Sequence, residues 1–177
     1  MEARLALRRK RALMRRGRGR VKKAVPRENG MHKLAAAGAG FLIAVVWFDL
    51  MFDVQARAPG EVLPEKVLAS ISAYYRRVTT EASPMGRLVS IAMLITVAAI
   101  MGGLLRHDGP AWAAWASLAA AAVGMGLALA RTVRNAVRLG RAADSAVTQT
   151  HLARGILRDH VVSLTAMAVV LALQLAT

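Results

Sequence analysis

The sequence predicts an all-α, polytopic membrane protein: a four-helix bundle with two helical extensions on one membrane face. Three observations carry this. Four long apolar runs occupy residues 34–54, 88–105, 111–130 and 161–176. The chain is 56% hydrophobic over 177 residues, more than a soluble domain of that size needs to fill its core. The connections alternate long, short, long, so both long ones fall on the same face.

A helix needs about 20 residues to cross the hydrocarbon, and lipid obliges every backbone group to be satisfied within the segment. Spans one and three meet that length. Spans two and four are shorter, and Arg87 and Arg158 beside them can reach the headgroups. Spans two and three are joined by "RHDGP", where Asp108-Gly109 makes a turn and Pro110 suits a first helical turn. The first long connection carries Leu63, Val67, Ile71, Tyr74 and Val78 at helical steps, an amphipathic stripe that Pro64 can open. Ser83-Pro84 reads as an N-cap followed by Pro at the first helical position. In the second, Arg131, Arg134, Arg138 and Arg141 recur at helical spacing and extend span three past the membrane. Ala36 with Gly40, Ala120 with Gly124, and Ala122 with Gly126 are small pairs four apart, suited to close helix packing.

The net charge of +15 is concentrated. Residues 1–30 form a basic tail with twelve Lys or Arg against Glu2 and Glu28. Three readings of it stand open: translation upstream of a true start at Met31, a solvated arm attracted to anionic lipid, and a nucleic-acid arm. The last is least favoured, because no aromatic residue is interleaved for base stacking. Residues 31–177 form the membrane domain. Its long-connection face holds eleven Lys or Arg and the opposite face only Lys33 and Arg106. Positive charge gathers on the cytoplasmic side, so the long connections are expected there, in a bacterial plasma (inner) membrane. Counting the tail raises the opposite face to fourteen and removes that bias.

The chemistry-bearing feature is "AVVWFDLMFDVQ", where Asp49 and Asp53 interrupt span one. They lie four apart and share a helix face, Asp49 about 6 Å deeper. A carboxylate at mid-membrane costs about 2.5–3.5 kcal/mol on insertion scales, so such groups turn inward and find partners. The topology brings Arg87, Arg131, Arg134, Arg158 and His160 to the same end of the spans. Asp53 is expected to take an Arg in a bidentate contact, and Asp49 to reach His160 or a protonated neighbour, or to be protonated itself. His151 and Arg154, in "THLARGILRDH", can join the cluster. The acids read as pins that hold the helices together through ion pairs and hydrogen bonds, as snorkelling groups, or as a polar pocket; on the last reading the candidate ligand or proton site is Asp49, Asp53, Arg87, Arg131, Arg134, His151, Arg154 and His160. Tyr74-Tyr75 read as packing and interface residues, as do Trp47, Trp112 and Trp115.

Cysteine is absent, which excludes disulfides, thiolate metal sites, cysteine nucleophiles and CxxCH haem attachment. No two histidines face one another at mid-depth, so paired haem ligation and a metal site are not expected. There is no Walker loop, HExxH or GxSxG.

"GFLIAVVWFDLMFDVQ", "LPEKVLASISAYYRRV" and "HLARGILRDHVVSLTAMAVVLAL", set in a four-span plan over residues 34–177, resemble small bacterial membrane proteins of the anthrone oxygenase-like family. Some members are associated with cofactor-independent oxidation of polycyclic phenols. The acids closing span one depart from that pattern, so the resemblance implies architecture and not activity; His151 and Arg154 match its polar start of span four. Three functions follow as expectations. The first is a pocket for a small amphipathic or quinone-like ligand, acting in binding or as a redox accessory. The second is a structural or assembly subunit docked to a larger membrane complex or a second copy. The third is a proton-coupled small transporter. No cofactor, reaction or substrate is specified.

Overall fold

The computed structural model describes residues 30–81 and 83–177, so readings of the basic tail lie outside the described residues. Every regular element among them is helical. Helix α1 spans Gly30–Asp53 and runs into a 3-10 turn, Val54–Arg57. Helix α2, Glu65–Arg76, continues as a π-helical turn over Arg77–Glu81. Helix α3 is Ser83–Leu105 and helix α4 Ala111–Leu127. A second π-helical turn, Ala128–Thr132, joins α4 to α5, Val133–Arg141. Helix α6 is Ala146–Ala176.

Four stretches are long and apolar enough to cross a membrane: Gly30–Arg57, Pro84–Leu105, Ala111–Arg141 and Ala146–Ala176. The last two are 31 residues each, about 46 Å at helical rise, which exceeds the hydrocarbon thickness. The polar residues between 131 and 160 are therefore not a loose connection. They continue span three as α5 and precede span four within α6, and only residues 142–145 turn between them. The arginine spacing over 131–141 falls on helix as expected, whereas residues 146–160 of α6 lie outside the apolar run that marked span four. Helix α3 includes Ser83 as its first residue instead of starting after it.

Helix α1 packs on α3 and α6, and α4 packs on α3 and α6. Large apolar side chains such as Trp47, Leu94, Leu105 and Leu175 face outward along these helices. Water would penalise such faces and lipid would not. Inside, Ala35, Ala39, Leu42, Ile100, Ala121, Met167 and Val170 form one apolar core. A second core, with Leu63, Leu68, Ile71, Leu139 and Ile156, lies where α2 packs on α5 and α6. The buried face of α2 is Leu68, Ile71, Ser72 and Tyr75. That is rotated about one residue from the stripe expected through Val67 and Tyr74, because two neighbours, α5 and α6, share the helix. The polar residues of interest lie between the two cores.

Close approach selects glycine at three places. A Cβ on Gly124 would sit 3.3 Å from Ala166 Cβ, where α4 crosses α6. A Cβ on Gly38 would collide with Thr96 Oγ1. Gly40 and Gly126 meet nothing within 4 Å, so of the three expected pairs only Ala120 with Gly124 marks a tight crossing. A Cβ on Gly140 would lie 2.7 Å from the Arg76 backbone nitrogen and 2.9 Å from the Tyr75 carbonyl carbon. Backbone cannot rotate away, so Gly140→Ala must separate α2 from α5. We expect a loss of about 1–3 kcal/mol, the scale of overpacking in a tight core, read from denaturant unfolding in detergent. An unchanged midpoint would mean that α2 is not held in this register.

Candidate functional site

The site lies at the junction of the two cores and is made by α1, α2, α6 and the π-helical turn after α4. Asp49 and Asp53 project from the last turns of α1. Asp53 is wholly buried. Its Oδ1 accepts from the Tyr75 hydroxyl at 2.6 Å, and its Oδ2 lies 2.6 Å from His160 Nδ1. An ionised carboxylate only accepts, so Nδ1 carries the proton in this contact and His160 turns Nε2 toward Asp49. Nε2 is 3.7 Å from Asp49 Oδ2. Asp49 Oδ1 accepts from the Tyr74 hydroxyl at 2.6 Å. Tyr74 also stacks on Phe52, ring centroids 4.0 Å apart. Burial, reinforced by the neighbouring carboxylates, pushes both tyrosine hydroxyls up, so both stay protonated donors at any physiological pH.

Helical geometry explains the match. Two acids four apart present carboxyls one turn apart. Two adjacent tyrosines on α2 diverge by about 100° and reach one acid each. On α6, adjacent residues diverge likewise: His160 faces the acids of α1, and Asp159 faces the turn after α4. There Asp159, 1% exposed, takes a two-pronged contact from Arg131: one bond from Nε at 3.0 Å and a second from Nη2. The Thr132 hydroxyl adds a third at 3.2 Å. Among the described residues, every buried side-chain nitrogen and oxygen has a partner.

The expected Asp53–Arg pair is therefore corrected. Asp53 is closed off by Tyr75 and His160, and the bidentate guanidinium belongs to Arg131 and Asp159. The contact expected between Asp49 and His160 is present as an ion-pair distance. Arg154 turns away from the acids. It donates to the carbonyls of Ala56, Ala58, Gly60 and Glu61, with the shortest contact, 2.7 Å, at Gly60. With Thr150, whose hydroxyl accepts from the Leu63 amide at 3.0 Å, it ties the segment before α2 to α6. Arg134 donates to the Ala130 carbonyl in its own helix. Arg87, Arg134 and His151 are exposed and do not line the cavity described below. The structure thus groups Asp49, Asp53 and His160, puts Arg131 beside them on Asp159, and sets the other four apart.

Sequence reasoning did not find Tyr74, Tyr75, Thr132, Thr150 or Asp159. The tyrosines carried a readable signal, since adjacent hydroxyl-bearing rings on a helix packed beside two acids are natural donors. Asp159 lay next to Arg158 in a stretch taken to be connection, which hid its burial.

A cavity of about 340 Å³ opens beside this cluster. Its polar end is Asp49, Tyr74, Tyr75 and His160. Its deeper wall is apolar, with Leu42, Met93, Met125 and Met167. Its rim includes Phe48, Met85, Leu129 and Val133, all well exposed on the outer surface. Both π-helical turns contribute wall residues: Val78 and Thr79 from one, Ala128, Leu129 and Thr132 from the other. Single π turns inside α-helices recur at functional sites, because the extra residue opens space beside the helix. No family model matches this chain, and no curated protein or solved structure is found to be similar to it.

Proposed function

We propose that the chain is a multi-pass protein of the bacterial inner membrane, a four-helix bundle whose cavity binds a small amphipathic or quinone-like molecule. It would act as a binding protein or redox accessory. The single observation that carries this is the cavity itself: apolar walls about 340 Å³ around, ending on Asp49 and His160. Apolar volume with a few convergent polar groups is the usual form of a small-molecule site. The division between the two acids supports the same reading. Asp53 is saturated and buried, whereas Asp49 has one oxygen held by Tyr74 and lines the cavity. Kinship with the anthrone oxygenase-like family is proposed for the architecture alone.

The test is purification in mild detergent followed by mass spectrometry of co-purifying small molecules, beside Met93→Trp, which fills the cavity from its apolar wall. We expect an occupant in the parent protein that the variant loses while keeping its melting temperature. Equal recovery from both, or none from either, would remove the pocket reading.

A second reading, a subunit that docks to a larger complex, is favoured by the exposed arginines Arg76, Arg77, Arg134 and Arg141 on α2, α5 and the turns beside them. Both readings place α2, α5 and the start of α6 on the cytoplasmic face. With no native cysteine, Thr80→Cys gives a single exposed thiol there. An impermeant thiol reagent applied to intact cells is expected to leave it unlabelled until the membrane is opened; labelling in intact cells would invert the topology.

A further inference from the structure

The chemistry of the bound head group can be taken further by counting hydrogens, an argument that rests on the pocket reading above. Six hydroxyls line the cavity, and each is already spent. Tyr74 and Tyr75 donate to Asp49 and Asp53. Thr79 donates to the Tyr75 carbonyl and Ser90 to the Gly86 carbonyl. Thr132 has Asp159 and the Leu127 carbonyl, and Ser163 has the Gly124 carbonyl. His160 uses Nδ1–H on Asp53; in the neutral ring Nε2 is then an acceptor, 3.7 Å from Asp49 Oδ2. Among the described lining residues no side-chain hydroxyl is left over as a donor, while the second oxygen of Asp49 accepts no hydrogen bond. Of the two ligand types proposed, the quinone-like one brings only acceptors and meets no free side-chain hydroxyl, which leaves the other amphipathic class.

Charge points the same way. The polar end holds two carboxyl groups against one imidazole, and Arg131 is spent on Asp159. A cation beside Asp49 stabilises its carboxylate form, an interaction that an isosteric neutral group does not offer. The rings of Phe48, Tyr74 and Tyr75 line the same space, and aromatic faces attract cations. Met85, Met93, Met125 and Met167 supply an adaptable apolar wall for a tail. The rim residues Phe48, Met85, Leu129 and Val133 face the region where lipid would lie, so such a molecule can reach the cavity from the bilayer.

We infer that this cavity is a site for a lipophilic ammonium ion, its N–H groups on Asp49 and its apolar tail along Leu42, Met93 and Met167. The full chain in phosphatidylcholine nanodiscs is titrated with three probes that share one tail: phenylbutylammonium, phenylbutanol and phenylbutanoate. Binding is corrected against empty nanodiscs. The ammonium is expected to bind about tenfold or more tighter than the alcohol, and the carboxylate weakest. Asp49→Asn is expected to bring the ammonium down to the level of the alcohol, so that the preference between the two disappears. Equal binding of ammonium and alcohol, or preference for the carboxylate, overturns the inference while leaving the pocket in place. No binding of any probe, together with indifference to Met93→Trp, overturns both. Where Asp49→Asn fails to fold, the head-group series on the parent protein decides alone.

Discussion

Asp53→Ala is expected to cost about 3–5 kcal/mol, the penalty for breaking a buried, hydrogen-bonded pair from one side. The reason is geometric. Asp53 is wholly buried and accepts from both Tyr75 and His160, so its removal strands a hydroxyl and an imidazole between two apolar cores. Tyr75 is also a member of the core shared by α2, α5 and α6, so its loosening propagates into that packing. The measurement is equilibrium unfolding in mixed micelles, with the yield of monodisperse protein as a companion. Tyr75→Phe removes one donor and retains the ring, and it should cost only about 1–2 kcal/mol. Equal losses from the two changes would show that the carboxylate contributes little beyond its bond to the hydroxyl.

Arg131→Leu is the second large effect. Asp159 is 1% exposed and keeps only the Thr132 hydroxyl once the guanidinium is gone. The carboxyl that remains is buried with one partner, so the unfolding midpoint is expected to fall. Half of the Arg131 side chain is exposed, so solvent screens part of the pair and the fall should be smaller than that from Asp53→Ala. Arg131→Leu combined with Asp159→Leu should recover most of the loss, because two apolar groups need no partner. A double variant as unstable as the single one would mean that the residues act independently.

These two effects concern residues that differ in how far the sequence exposes them. Asp53 is legible because an acid inside an apolar run has few ways to survive. Its depth and that of Asp49 follow from rise per residue, and the even number of spans brings the ends of spans one and three to the starts of spans two and four. What topology does not fix is azimuth. Four arginines and a histidine reach the same level, and the choice among them depends on which face each helix turns inward. The histidine wins at Asp53 because α6 packs directly on α1. The guanidinium goes to Asp159 because Arg131 sits on the π-helical turn that faces α6. Arg154 carried the right polarity for a ligand site, yet its fork is filled by four backbone carbonyls, a role that depends on the path of residues 54–64 and leaves no trace in composition.

The same limit applies to the helices. The four apolar runs mark four long helices, and those runs are what the outward Trp47, Leu94 and Leu175 require. The 15 residues of α6 before span four were hidden by their polarity, although Ala153, Ile156 and Leu157 recur at helical spacing on its buried face. The cavity was not legible at all. It arises where two π-helical turns and α2 meet, and neither turn has a sequence signature beyond ordinary helix formers.

In the proposed function Asp53 holds helices together and Asp49, one turn away, meets the bound molecule. Unfolding and small-molecule recovery, measured together on Asp49→Asn, separate these two roles. An amide still accepts from Tyr74, so the variant should stay within about 1 kcal/mol of the parent and lose its co-purifying occupant. A protein that unfolds as readily as Asp53→Ala, or keeps the occupant in full, would contradict it.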